Sequence, residues 1–253
     1  MKKAIIFASY IPTKDKIYIG QEFLDFFEKF YSDYDLYVGM NPSCVEWIEI
    51  LKNRSINYKI TEEKFVVPSD VSAYQTALKL LKESNKEYDL YTFAHTKGVT
   101  SNAHTFRKYV FDNFLLKNKE IEKIFENDET VGLFSLWVTK CSTKNSIRES
   151  LNVFLGHLNE CQNTDTMTQY TFYTMKGLVL NKFIKEVNDL FWNEKITDIK
   201  YPYHSYIIVN NHHIWDYNSP LGTIQFNNDI YFFERDFPMI VERYCHKIIN
   251  KID

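Results

Sequence analysis

An alternation in the first hundred residues does most to limit what this chain can fold into. Ala4-Ile5-Ile6-Phe7-Ala8 is a short, unbroken apolar run, as expected of a strand covered on both faces. Further strand signals stand at 36–38, 58–60 and 89–93. Between them, apolar residues recur at helical spacing: Phe23, Leu24, Phe27, Phe30 and Tyr31, then Trp47, Ile50 and Leu51, then Val71, Tyr74, Ala77, Leu78 and Leu81. Such an order predicts an α/β fold, a mostly parallel sheet flanked by helices, because parallel neighbours need crossover connections. Ligands of open sheets of this kind sit at the carboxyl ends of the strands.

Start signals accompany the helices. Ser43 with Glu46 has capping-box spacing, and Asp70 stands where an N-cap would. Past residue 100 the pattern loosens. A helix is expected over 105–116, a strand over 131–138, and a helix through Ile147, Leu151, Phe154, Leu155 and Leu158. Residues 172–180 read as a strand around Gly177, with Asn181 capping a following helix through Ile184, Val187 and Phe191. Residues 206–209 suggest one more strand, and a closing helix is expected after Pro238. Neither repeat nor Pro/Gly linker divides the chain, so residues 1–253 read as one domain.

A net charge of −3 on 253 residues, with both signs interspersed, excludes nucleic acid as a bulk electrostatic partner. No apolar stretch approaches the ~20 residues that a membrane helix needs. The N-terminal run is too short for a signal peptide. Cys44, Cys141, Cys161 and Cys245 are scattered without a C-x-x-C pair, which argues against a zinc or disulfide scaffold and for a reducing, cytoplasmic setting. In that setting the acceptor pattern Asn53-Arg54-Ser55 carries no glycan. Aromatic residues reach 17%. They furnish a generous core, and tyrosine faces also suit the C–H faces of sugar rings.

The carboxyl-end rule directs attention to the segment leaving the fourth strand, His95-Thr96-Lys97-Gly98-Val99-Thr100-Ser101-Asn102. Gly98 permits a turn or a close ligand approach, and Lys97 can set a positive charge against a diphosphate. A surface connection with a solvated lysine has the same composition. Three alternatives are missing from the sequence: the phosphate-binding G-x-x-x-x-G-K-[ST] loop, a G-x-G-x-x-G after the first strand, and a G-x-S-x-G elbow. His212 and His213 are adjacent and would point apart in a strand, so with His204 they do not form a ligand set.

Tyr88-Asp89-Leu90-Tyr91-Thr92-Phe93-Ala94-His95-Thr96-Lys97-Gly98-Val99 resembles the HTKG segment of glycosyltransferase-like proteins similar to the rhamnan-synthesis type of sugar transferase, which has a GT-A fold. The pair Arg107-Lys108, the strand Val131-Gly132-Leu133-Phe134, the segment 172–180 and Glu234-Arg235 match the same pattern in order. This resemblance implies a nucleotide-sugar donor and a glycan or other hydroxyl acceptor, with residues 1–130 as the nucleotide-sugar half and 131–253 as the acceptor half. It also implies that Ala8, Ser9, Tyr10 and Asp70 hold the nucleotide, although Asp70 as a plain helix cap remains the alternative. His95, Thr96, Lys97 and Gly98, with Arg107 beyond them, would face the diphosphate.

The chain departs from that pattern in one respect. GT-A enzymes carry an Asp-x-Asp motif at this strand end to hold a divalent metal such as Mn or Mg. Here His95-Thr96-Lys97 stands in its place, and Asp33-Tyr34-Asp35 lies at the wrong end of the second strand. Lys97 is therefore expected to share in offsetting leaving-group charge. Asp165 is the expected acceptor-side base, and Trp215 with Tyr217 the aromatic acceptor loop. The rival expectations are a non-catalytic nucleotide- or glycan-binding module of the same fold, and another nucleotide-using enzyme such as a nucleotidyltransferase.

Overall fold

The computed structural model describes residues 1–65, 70–99, 104–136, 138–140, 166–168, 171–187, 189–193 and 247–249. Strands β1 (Lys3–Ser9), β2 (Tyr34–Met40), β3 (Asn57–Ile60), β4 (Leu90–His95), β5 (Val131–Ser135), β8 (Tyr173–Lys176) and β9 (Lys247–Ile249) form one seven-stranded sheet in the order β3-β2-β1-β4-β8-β5-β9. β1 pairs parallel with both β2 and β4, and β2 pairs parallel with β3. β8 runs antiparallel between β4 and β5, and β5 pairs parallel with β9. The mostly parallel, Rossmann-like sheet read from the alternation is thus present. β6 (Val138–Lys140) and β7 (Thr166–Thr168) form a separate antiparallel pair.

Helices cover both faces. α1 (Ile17–Phe30), α2 (Val45–Asn53), α4 (His104–Asn113) and α5 (Asn118–Asn127) pack with Ile5, Phe7, Val38 and Ala94. α3 (Val71–Ser84), α6 (Gly177–Glu186) and α7 (Asp189–Asn193) pack with Ala4, Ile6, Ala8, Tyr91 and Phe93. Alternate residues of β1 enter opposite cores, so the strand must be apolar throughout. α3 lies hard against β2. A Cβ on Gly39 would stand 1.8 Å from the Ala73 carbonyl oxygen and 2.4 Å from the Ala77 nitrogen.

Several expectations are corrected. Residues 172–180 are not one strand: β8 ends at Lys176 and α6 begins at Gly177. There the Gly177 N–H donates to the Asp89 carbonyl at 2.6 Å, and a Cβ would collide with the Tyr88 carbonyl at 1.8 Å. Asn181 is accordingly inside α6, where its amide donates to the Tyr88 carbonyl and accepts from the Tyr91 hydroxyl. The 131–138 run divides between β5 and β6, which belong to different sheets. The helix expected over 105–116 stops at Asn113, and a 3-10 turn follows at Leu115–Lys117. Residues 247–249, expected in a closing helix, extend the sheet beside β5. Ser43 does not cap α2, whose N-cap is Cys44. The expected helix over 147–158 and the strand at 206–209 lie outside the described residues.

Candidate active site

The exits of β1, β2 and β4 are level, since Ala8 is in register with both Gly39 and His95. Pairing continues one step past the strands. The Thr96 N–H donates to the Ala8 carbonyl at 3.1 Å, and the Asn41 N–H to the Ser9 carbonyl at 3.0 Å. A layer of buried hydroxyl and amide side chains then fixes the connecting loops. Ser9 Oγ accepts from the Trp47 indole N–H at 3.0 Å. Thr96 Oγ1 accepts from the Tyr10 N–H at 3.0 Å and donates to the Tyr10 carbonyl at 3.3 Å, clamping the turn after β1. Ser43 Oγ accepts from the Ile11 N–H at 3.0 Å and donates to the Asn41 carbonyl at 2.8 Å. Ser72 Oγ donates to Asn41 Oδ1 at 2.7 Å, and the Thr61 and Thr76 hydroxyls meet at 2.9 Å.

Asp70 occupies the N-cap position of α3 but makes no side-chain cap bond. Its carboxylate instead lies 3.3 Å from His95 Nδ1. The imidazole is held from the side by the Phe172 ring, 4.6 Å away and inclined at 34°, while the Tyr74 ring is at 6.3 Å. The Tyr74 hydroxyl donates to the Thr171 carbonyl at 3.0 Å, tying α3 to the segment that enters β8.

After His95 the chain turns sharply. The Lys97 N–H donates to the His95 carbonyl at 2.8 Å, and Gly98 has a φ of 93°, a conformation that favours glycine. Lys97 is half-buried, with Nζ 5.2 Å from the centre of the Phe106 ring. The buried Arg107 guanidinium bonds to Glu22 at 2.7 Å and reaches the Lys97 carbonyl at 3.4 Å. Arg107 thereby braces the turn from behind.

Ala8, Ser9, Tyr10, Asp70, His95, Thr96, Lys97 and Gly98 thus share one edge of the sheet, with Arg107 underneath. Ala8 and Ser9 are buried, and the Ser9 hydroxyl is already taken up by Trp47. Tyr10 presents a ring to solvent at 36% exposure. Asp165 and Trp215 lie outside the described residues, as do His204, His212, His213 and Tyr217. Sequence reasoning passed over Asn41, took Ser43 for a helix cap and Phe172 for part of a longer strand, and gave none of the three a place at this edge. The carboxyl-end rule used for β4 would have found Asn41-Pro42-Ser43 had it been applied to β2.

A divalent metal bridging a diphosphate would need clustered carboxylates here. Among the strand-exit residues just described Asp70 is the one carboxylate, and among the described residues no group of three His, Cys, Asp or Glu side chains is placed to hold a metal. The described residues therefore do not fit that metal. Asp33 and Asp35 stand at the opposite edge, beside an open cleft of about 580 Å³. Most of the charges lining that cleft are already in ion pairs. Lys3 contacts Asp33 and Glu122, and Lys86 contacts Asp35. Its size therefore does not make it the better candidate.

No helix among the described residues is long and apolar enough to cross a membrane. A family model described as rhamnan synthesis protein F (RgpF) matches residues 17–200, well over half of the chain. No curated protein matches it.

Proposed function

This chain belongs to the rhamnan synthesis protein F family, and from that premise we propose that it is a glycosyltransferase of GT-A type. Membership ties the chain to sugar transfer in polysaccharide synthesis. The proposed reaction moves a sugar from a nucleotide-sugar donor to a glycan or other hydroxyl acceptor in the cytoplasm. The family name makes a rhamnose-containing glycan the first acceptor to try. Residues 1–130 would bind the donor and 131–253 shape the acceptor side, with Asp165 as base and Trp215 in the acceptor loop.

The observation that carries this reading is the convergence of Asp70, His95, Thr96 and Lys97 at the exits of β1 and β4. Charged and hydrogen-bonding groups held at the carboxyl edge of a parallel sheet are where a diphosphate is expected. Since the Ser9 and Thr96 hydroxyls are engaged with Trp47 and Tyr10, they set the loop shapes, and His95 and Lys97 meet the phosphates. Arg107 supports the Lys97 turn. Calorimetric titration with UDP-, GDP-, CDP- and dTDP-sugars tests the proposal. Binding of one of them, with release of nucleoside diphosphate when acceptor is added, is expected. Failure of all four to bind at millimolar concentration would overturn it, whereas binding without turnover would favour the non-catalytic module.

A further inference from the structure

We infer that His95, oriented by Asp70, supplies positive charge to the leaving diphosphate where a metal would otherwise bridge it, and that Asp70 is the residue positioning that imidazole. The inference rests on the transferase reading above. Three observations carry it. Asp70 forgoes the amides of α3 that its position offers and lies 3.3 Å from His95 Nδ1. Phe172 packs along the ring at 4.6 Å, so the imidazole is held from two directions. The described strand exits lack the clustered acids that a divalent ion requires, yet departing diphosphate charge must still be offset.

A carboxylate against one ring nitrogen fixes the proton there and favours the charged imidazole. In the transfer step the bond from the anomeric carbon to the diphosphate oxygen breaks, and its electron pair stays on that oxygen. The acceptor oxygen bonds the anomeric carbon and its proton passes to a base or to solvent. The imidazolium keeps its own proton and acts through charge and hydrogen bonding. The Tyr74 ring of α3 stands 6.3 Å from the imidazole, and Lys97 follows two residues on in the turn after β4. Lys97 would add positive charge at the same diphosphate, and as a like charge it works against protonation of the ring, which Asp70 must outweigh.

Ring-nitrogen NMR of the full chain tests the inference, with His95→Gln identifying the His95 signals. Spectra would be taken from about pH 5 to about pH 9, bracketing the ordinary imidazole range. UDP, GDP, CDP and dTDP would be added in turn, with chelator present. The nucleotide that binds should raise the His95 titration midpoint without any metal. Asp70→Asn should lower that midpoint in the free protein and weaken nucleotide binding about tenfold near neutral pH, and Asp70→Glu should recover part of both. If Asp70→Asn does not fold, His95→Gln carries the binding comparison and should show a loss at least as large. If none of the four binds the wild-type chain, the transferase reading fails and takes this inference with it. If one binds while the His95 midpoint stays fixed, or binds equally well to the variants, or binds only with manganese present, the inference alone is overturned.

Discussion

At the amino edge of the sheet, charge is paired with charge. Lys3 reaches Asp33 and Glu122, Lys119 joins both, and Tyr34 donates to Glu122 at 2.8 Å. At the carboxyl edge the layer is mostly neutral, built from Ser9, Asn41, Thr61, Ser72 and Thr96, with the Asp70–His95 pair set into it. The first edge resembles a closed network, in which each charge already has its partner. The second fixes its loops with hydroxyls and keeps a partly exposed carboxylate beside a histidine, with a lysine in the turn that follows. Stability should therefore answer to the amino edge, and ligand binding to the carboxyl edge.

The sharpest attempt to break this separation is Gly39→Ala, because Gly39 of β2 is where α3 seats on the sheet, so it bears on both stability and the placing of Asp70. The added Cβ has no room against the Ala73 and Ala77 backbone. Stability should fall by about 3 kcal/mol in denaturant titration, and nucleotide binding should fall with it as α3 and Asp70 shift. Loss of stability with intact binding would show that Asp70 is not set by the seating of α3.

Lys97→Ala should do the reverse. Removing a well-placed cation costs turnover about a hundredfold, while the midpoint of unfolding should move little, since the lysine is only half-buried, its Nζ set over the Phe106 ring. Lys97→Arg should recover only part of the rate, because a planar fork does not replace a point charge. Wild-type turnover in Lys97→Ala would remove the lysine from the chemistry.

Lys3→Met tests the opposite edge. It removes the buried cation shared by Asp33 and Glu122, leaving them the more exposed Lys119, and should cost about 2 kcal/mol, less than breaking a fully buried pair because Asp33 is 53% exposed. Nucleotide affinity should be unchanged. A change in affinity would mean that the two edges communicate through β1.

The smallest effect is acid sensitivity. The hydrogen bond from Lys3 holds the Asp33 carboxyl below its ordinary range, and the bond from Tyr88 does the same for Asp35. Burial alone would raise Glu122, but bonds from Tyr34, Lys119 and Lys3 outweigh it and bring it below its usual value. Groups whose folded pKa is depressed stabilise the fold above their unfolded pKa and lose that contribution as pH falls through the folded one. Unfolding free energy should thus decline below about pH 4, by about 1 kcal/mol once solvent screening of the exposed acids is allowed for. Lys3→Met should flatten the decline.

Much of the sheet's parallel half was legible in the sequence because its signals are local. Residues 4–8 alternate between two cores and so must be apolar at every position, which a one-dimensional reading detects. The errors arise where local signals coincide. From Phe172 to Leu180 mostly apolar and aromatic residues run across a strand and the start of a buried helix, and periodicity cannot separate the two. α5 escaped notice because Ile121, Ile124 and Phe125 carry its apolar face among mostly charged residues. At the site, the loop after β4 could be found from its strand. The Asp70–His95 contact and the Phe172 packing could not, since they join residues brought together only by the finished sheet. Asp70 looked like a cap because its position is a cap position, and position does not say where a carboxylate turns.

The antiparallel placement of β8 also bears on the order in which the protein can be made. β4 is flanked by β1 on one side, but its other side waits for a strand whose paired residues, such as Thr92 and Thr174, are 82 positions apart. At a ribosomal rate of about 5–20 residues per second, that side stays open for on the order of ten seconds. During that interval Leu90 to Phe93 presents an apolar, unpaired edge, the kind of template that recruits other chains. Chaperone demand during synthesis should therefore concentrate on the window between translation of β4 and arrival of β8, well after the first parallel strands can have paired.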